Sequence, residues 1–542
     1  MSRFFRSKRQ NPQENSTTIK LYPSLQQNIT HFKQTVGEST DIVIRTFKAG
    51  QTGSMDIAVL YTSGLVNNEL VHDFILDTLM SEIRKTPLDA PAHKSKRYKT
   101  KHIEENGNKA YQLIKDYAMT GGNVTDIDTM EKLFLHVLSG DTVVMLDGSI
   151  QAMAIDTRGW ESRGVEEPST QSVVRGPKEG FTETLRTNTA LLRRRIKDPN
   201  LWIRSKPIGS KSKTDVAVVY LHGVADEKVV KEVYHRLNKI NIDAILDSGY
   251  VEELIQDETY TPFPTVYNSE RPDTIAAGIL EGRIAIVVDG SPFVLLVPAL
   301  FVQFFQSAED YFQRADFSTL IRLIRYMAFF LALLTPSVYI ALTTYHQEMI
   351  PTSFLVSLSA QREGVPFPAF VEALLMEITF EILREAGVRL PKAVGSAISI
   401  VGALVLGQAA VEAGIVSSAM VIVVSLTAIS SFVSPSFNFA ISIRMLRFGF
   451  MSLAATLGLF GILFGLIILT LHLASLRSFG VPYLSPMAPF IGADQKDAIL
   501  RFPRWKLTTR PRLINQSNMD REDAKAPKPE KRKRLNQRKE QE

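Results

Sequence analysis

The stretch Asp56-Ile-Ala-Val-Leu-Tyr-Thr-Ser-Gly64-Leu-Val66 returns later in the chain as Asp215-Val-Ala-Val-Val-Tyr-Leu-His-Gly223-Val-Ala225. Each copy is a short β-branched run followed by a glycine and then by an amphipathic helix pattern, Asn67–Ile83 and Asp226–Ile240. A second block repeats as well. Leu138-Ser-Gly140-Asp-Thr-Val-Val-Met-Leu-Asp147-Gly148-Ser149 matches Leu280-Glu-Gly282-Arg-Ile-Ala-Ile-Val-Val-Asp289-Gly290-Ser291. Two blocks in the same order imply two copies of one α/β unit. The first copy carries the longer insert, which we place in the basic loop Pro91–His102.

The repeat also settles a hydropathy question. Residues Gly290–Ala308 carry no charge and read like a membrane span. By the repeat they belong instead to a hairpin, with Arg283–Val288 and Phe293–Leu300 as strands around Asp289-Gly290. Asp-Gly is a strong two-residue hairpin signal, and Asp147-Gly148 takes the same place in the first copy.

Beyond this point the composition changes. The 542 residues are 45% hydrophobic and 22% charged, but the charge is unevenly spread. The windows Tyr326–Gln347, Ala393–Val411, Ala413–Ile443 and Phe448–Leu476 contain no Asp, Glu, Lys or Arg. A bilayer core needs about 20 mostly apolar residues as helix. The expected fold class is an α/β N-terminal region of two related subdomains, then an all-α multi-pass transmembrane domain and a disordered basic C-terminal tail. The expected boundaries are a disordered basic N-terminus at 1–24, subdomains at 25–160 and 161–309, a transmembrane domain at 310–478 and a tail at 479–542. Spans are placed at about 326–345, 394–412, 415–434 and 448–474, with an amphipathic helix at 368–387. The net charge of +6 is weighted to the tail: from Lys525 to Lys539 there are eight Lys or Arg and one Glu. The basic, polar start of the chain has no apolar core of a cleavable signal, so the N-terminal region is expected in the cytoplasm.

Orientation is in tension. Four spans with a cytoplasmic N-terminus put the tail inside but leave Arg444 and Arg447 outside, against the positive-inside rule. Counting 368–387 as a fifth span reverses both. Four spans are preferred because a spanning helix carrying Glu372, Glu377, Glu381 and Glu385 is expensive.

Catalytic signatures are missing. There is no Walker A pattern, no G-x-S-x-G and no H-E-x-x-H, and no Cys. The nine histidines lack metal-ligand spacing. The expectation is a non-enzymatic protein with no metal, no cofactor and no nucleic-acid partner. The second span is the informative one. Gly395, Ser399, Gly402 and Ala409 share a small-residue face that lets helix backbones approach closely. Val401, Val405, Gln408 and Glu412 lie opposite. In a ring of subunits they would line a pore, with the valines as a hydrophobic constriction and the polar pair as a cation-favouring mouth; in a simply packed helix they would sit at an interface. The glutamates of 368–387 read either as a charged vestibule or as an interfacial helix with its carboxylates in water.

Longer motifs carry a family resemblance. They are Arg175-Gly-Pro-Lys-Glu-Gly-Phe181, Arg362-Glu363-Gly364-Val-Pro366-Phe-Pro368, Leu390 through Val411, Ser434-Pro435, and Gly480-Val-Pro-Tyr483 with Pro489-Phe490. Over about residues 30–510 the chain resembles the A subunit of GerA-type spore germination receptors, most of all the GerK type. The resemblance implies a nutrient (germinant) receptor subunit in the spore inner membrane, with its N-terminal region facing the spore core. It implies a transporter-like B subunit and a lipoprotein C subunit as partners, a membrane-lipid environment, and oligomerisation, as a pentamer, into a germinant-gated cation channel. The motif Arg362, Glu363, Gly364, Pro366 and Pro368 would form an elbow before the Glu-rich helix. The rival readings are an accessory homologue that amplifies germination without sensing nutrients, and a multi-pass solute transporter. A transporter of that kind would show repeats within its spans; the repeat here lies in the N-terminal region.

Overall fold

The structure, a computed structural model, describes residues 19–49, 55–76, 79, 111–112, 114–115, 124–159, 167–168, 171–389, 407–514 and 518–521. The two sequence repeats fold into two sheets of the same topology. The first contains β1 (Ile42–Ala49), β2 (Met55–Thr62), β3 (Val124–Ile127), β4 (Thr142–Leu146) and β5 (Ala152–Ile155), in the order β1-β2-β4-β5-β3. The second contains β6 (Leu201–Ile208), β7 (Thr214–Leu221), β8 (Tyr267–Ser269), β9 (Ile284–Val288) and β10 (Val294–Val297), in the order β6-β7-β9-β10-β8. All the pairings in both sheets are antiparallel.

The matched runs are buried on both faces, which explains why they read as nearly continuous apolar segments. In β2, Ile57, Val59 and Tyr61 face one core while Ala58 and Leu60 face the other. In β7, Val216, Val218 and Tyr220 face one core while Ala217, Val219 and Leu221 face the other. On the first sheet, α1 (Leu25–Val36) and α2 (Met130–Ser139) cover one face, and a π-helical stretch, Leu70–Leu76, lies on the other. On the second, α3 (Leu185–Arg195) and α6 (Pro272–Leu280) cover one face. The helices α4 (Glu227–Lys239) and α5 (Ser248–Ile255) cover the other.

Asp147 and Asp289 do equivalent work in the two units. Each carboxylate accepts a hydrogen bond from the first N–H of a neighbouring helix, Leu25 at 2.9 Å and Leu185 at 2.8 Å, where the helix dipole favours negative charge. The glycine after each aspartate has positive φ, 82° at Gly148 and 85° at Gly290. The hairpins are present, and Asp147-Gly148 and Asp289-Gly290 are the central pairs of turns closed by the Ser149 N–H to the Leu146 carbonyl and the Ser291 N–H to the Val288 carbonyl, 3.3 Å each; the second strands begin after five residues, 147–151 and 289–293. The window 290–308 holds β10 and the 3-10 turn Phe301–Phe305, with a second, Ala308–Tyr311, at its end; it forms no long helix.

A buried ion pair joins the units. Arg193 of α3 bonds Asp41 through two hydrogen bonds of 3.0 Å and donates to the Leu201 carbonyl at 2.8 Å. Beside it, the Thr40 N–H bonds the Ile203 carbonyl at 2.9 Å.

The second unit grips the helical region. The helix α7 (Ala315–Thr344) begins before the apolar window and continues through it, with Pro336 inside. Near its start, Arg322 is fully buried. It donates to Asp310 at 3.2 and 3.3 Å and to the Asp497 side chain and carbonyl at 2.9 Å each. An aromatic joint of Phe263, Phe301, Phe304, Phe305, Phe329 and Phe439 sits beside it, with ring centroids 5.1–6.3 Å apart. After α7 come α8 (Thr352–Arg362), α9 (Ala369–Arg389), α10 (Gly407–Glu412), α11 (Ser418–Phe432) and α12 (Phe437–Ser475).

The last of these is not one rod. Gly458 has φ 60° and ψ −140°, and the chain reverses there. Ser442 bonds the Pro262 carbonyl while His472 bonds Thr261 at 2.8 Å, so the ends of α12 meet at the same point on the second unit. The expected single span at 448–474 is therefore the turn and much of both arms of a helical hairpin. Its apex sits against the far end of α7, where the Tyr345 hydroxyl donates to the Ala455 and Thr456 carbonyls at 2.8 and 3.1 Å. Those carbonyls lie just before the break, where the helix cannot satisfy them itself.

Much of the expected tail is also folded. Strands β11 (Arg477–Ser478) and β12 (Val481–Pro482) pair, Tyr483 is buried, and Val481, Ala498 and Ile514 pack with Leu300 and Val302. Apolar residues inside an otherwise polar segment give it a core to join. Residues 522–542 lie outside the described residues, as do residues 1–18.

The hairpin can be tested directly because the chain has no cysteine. Positions 450 and 465 would stand about 22 Å apart along a straight helix, yet a side chain at 465 would touch the Phe450 ring. A Phe450→Cys, Gly465→Cys chain should form an intramolecular link with a short thiol crosslinker, seen by mass spectrometry. A continuous rod would give none.

Candidate functional site

The helix α9 carries glutamates at 372, 377, 381 and 385, and the structure turns the first two into the protein. Glu372 and Glu377 are fully buried, beside the buried Ala369 and Ala373 on the same helix. The small residues let neighbouring helices come close enough to serve the carboxylates. The reading of these glutamates as carboxylates in water does not hold for this pair.

Their partners come from α12 and from α11 with the serine that caps it. Arg447, on the first arm of α12, is fully buried and forms an ion pair with Glu377. Thr427 of α11 donates to the same carboxylate at 3.1 Å. One turn along, Glu381 pairs with Arg444 at 2.8 Å and with Arg384 at 3.2 Å. Arg384 also donates to the Ser431 hydroxyl at 2.7 Å and lies over the rings of Phe380 and Phe432. At the other end, Glu372 accepts from the Ser417 N–H at 2.6 Å and from the Ser417 hydroxyl. Arg444 and Arg447 are therefore not loop charges that must choose a side of a membrane. They sit on one face of a helix three residues apart and answer the glutamates.

An isolated charge in such an interior costs several kcal/mol, and pairing with satisfied hydrogen bonds offsets most of it. Compensation is incomplete at several atoms, among them Oε2 of Glu372 and Nε of Arg384 and of Arg444, and most of all at Arg447. Among the described residues, Nε and Nη2 of Arg447 have no hydrogen-bond partner. The network thus has spare donor capacity deep in the helical region, where it can receive a carbonyl, a water or an anion.

The elbow motif borders this network. Arg362 ends α8 and its Nε lies 3.7 Å from Glu372. Gln361 accepts from Ser418 at 3.0 Å, and Gly364 approaches Gly414 so closely that a Cβ at 414 would lie 3.0 Å from the Gly364 carbonyl oxygen. Glu363, Gly364, Pro366 and Pro368 are exposed. The bend carries the chain from α8 into α9 and braces the start of α11. Val401, Val405, Gly395, Ser399 and Gly402 lie outside the described residues. Gln408 and Glu412 are exposed on α10 and bond one another at 2.9 Å. Ala409 is exposed in the single chain, and Gly407 is the buried member of that turn. Sequence reading missed the pairing of Glu377 with Arg447. The available signal was a set of arginines and a set of glutamates in neighbouring apolar segments, each unexplained alone.

Replacing Arg447 with Met should leave Glu377 buried without its counter-charge and cost about 3–5 kcal/mol. Glu377→Leu together with Arg447→Met should recover most of the loss. Thermal unfolding of the detergent-solubilised chain checks both; equal damage from the single and double variants would contradict the pairing.

Comparison with known proteins places this architecture. The family model described as Bacillus/Clostridium GerA spore germination protein matches residues 30–513. Spore germination protein KA of Bacillus subtilis (strain 168) is 50% identical over 510 residues, 94% of this chain and 90% of that protein. Spore germination protein B1 of the same organism is 40% identical over 495 residues, 91% of this chain and 98% of that protein. A crystal structure of the N-terminal domain of the A subunit of the Bacillus megaterium spore germinant receptor GerK3 is 42% identical. It covers 53% of this chain and all of the solved one, with a TM-score of 0.41. Matched across nearly its whole length, this chain belongs to the GerA family of spore germination proteins.

Proposed function

We propose that the chain is the A subunit of a germinant receptor and works as a non-enzymatic, germinant-gated cation channel subunit in the spore inner membrane. Its partners in this reading are a transporter-like B subunit, a lipoprotein C subunit and further copies of itself. Family membership over residues 30–513 is the observation that carries the germination role.

Two features support membrane insertion and an ion path. The helix Ala315–Thr344 is long and apolar enough to cross a membrane, and the equally apolar stretch Phe437–Ser475 is divided by the break at Gly458 into two arms. Around them, Phe330, Ile382, Ile422, Ile429, Phe460 and Leu471 are exposed, an apolar surface that lipid would cover. Inside lies the charged network, and buried ionisable groups in membrane helices mark ion pathways more often than packing alone. In this reading α7, α9, α11 and the two arms of α12 each cross, and the stretch 394–412 supplies the remaining pass. Six passes return the chain to its starting side. The basic C-terminus then faces the spore core together with the α/β units, as the positive-inside rule requires. Val401 and Val405 form the constriction in an assembled ring, and Gln408 and Glu412 its mouth.

The test is cation flux from liposomes holding the purified chain, wild type beside Val401→Ala. The expected result is a size-selective leak that is larger in the variant. No flux from a folded oligomer, alone and after addition of B and C subunits, would move the chain to an accessory role.

A further inference from the structure

A cavity of about 570 Å³ lies apart from the charged network, where α6, the 3-10 turns before α7, the segment 493–511 and Arg521 meet. That volume falls in the range of small-molecule sites, about 300–1,000 Å³. Its walls are part apolar, with Leu280, Leu296 and Leu507, and part charged, with Arg283, Arg521 and Glu281.

The charges do not balance locally. Arg283 is buried, and its Nε has no hydrogen-bond partner among the described residues. Burial pushes this guanidinium below its ordinary value, with Glu281 the first opposing influence. Glu281 is divided between two cations and in hydrogen-bond contact with neither guanidinium: it lies 3.7 Å from Arg283 and 3.9 Å from Arg521. The other carboxylates of the wall are committed. Asp273 is held by Arg271 at 2.6 Å. Asp497 accepts from Arg322 at 2.9 Å and from the Tyr311 hydroxyl at 2.8 Å. Asp494 accepts the Arg512 N–H at 2.8 Å, and burial raises its pKa, which favours its neutral form. Among the described residues, the unmet demand is for negative charge next to an apolar wall.

We propose that this cavity binds a small organic anion, a carboxylate on a compact apolar body. The carboxylate meets the forked donors of Arg283 and Arg521, and the body lies against Leu280 and Leu296. Asp497 is a wall of the cavity and also an anchor of Arg322 in α7, so an occupant bears on the joint between the second α/β unit and the helical region.

The experiment is calorimetric titration of the full-length chain in detergent with benzoate, and with benzylamine as a probe of the same body and opposite charge. Benzoate should bind with one site per chain and benzylamine should not. Arg521→Gln, at the rim, should weaken benzoate about tenfold, the effect of losing one charge-assisted contact. Glu281→Gln should tighten it by removing the competing carboxylate, a change in the opposite direction that general damage to the fold would not give. Benzylamine binding as well as benzoate, no benzoate binding by a folded chain, or the same affinity in both variants as in wild type would each overturn the assignment. None of these outcomes bears on cation flux, so the site and the channel reading stand or fall separately.

Discussion

The fully buried guanidinium of Arg322 holds together two neighbouring segments and a third that lies 175 positions further along the chain. It belongs to α7, its acceptor Asp310 precedes that helix, and its acceptor Asp497 comes after the whole helical region. An arginine taken out of water survives only where its donors are matched, and here two carboxylates and two backbone carbonyls do so. The arrangement fixes where the first long helix leaves the α/β units and where the chain returns. The aromatic joint around Phe439 supplies the apolar area at the same place. Position and adhesion are thus provided by different chemistry.

Burial of charge recurs as a building method through the molecule. Arg193 with Asp41 joins the two α/β units, Arg322 with Asp310 and Asp497 joins α7 to the turns before it and after α12, and Arg447 with Glu377 joins helix to helix. Each pair is costly to make and more costly to break singly, because the survivor is left without a counter-charge. Such pairs favour one register of the parts over its neighbours. A sliding motion of α12 along α9 by one residue would separate Arg447 from Glu377 and also Arg444 from Glu381.

The two α/β units were legible in the sequence because their information is local and duplicated. Continuous apolar runs such as Ile57 to Tyr61 and an Asp-Gly pair recur in the same order, and strand propensity and turn chemistry act over a few residues. The second task of Asp147 and Asp289 was not legible, since each meets the start of a helix more than a hundred positions away. The reversal at Gly458 was hidden for a different reason. A turn inside an apolar helical region needs no polar residues of its own when Tyr345, over a hundred positions away, satisfies the freed carbonyls. The charged network was half legible: Arg444 and Arg447 stood out as an orientation problem, and only their distant partners on α9 turn the problem into an interaction.

The hairpin of α12 has a mechanical consequence. Both of its feet rest on residues 261–262, and α7 is rooted on the same body through Arg322. Three struts therefore rise from one base and meet at Gly458 and Tyr345. A frame of this kind does not stretch; a small rotation at the base is carried to the tip, and the displacement grows with strut length. Movement that begins among the α/β units would reach its largest amplitude on the opposite side of the helical region.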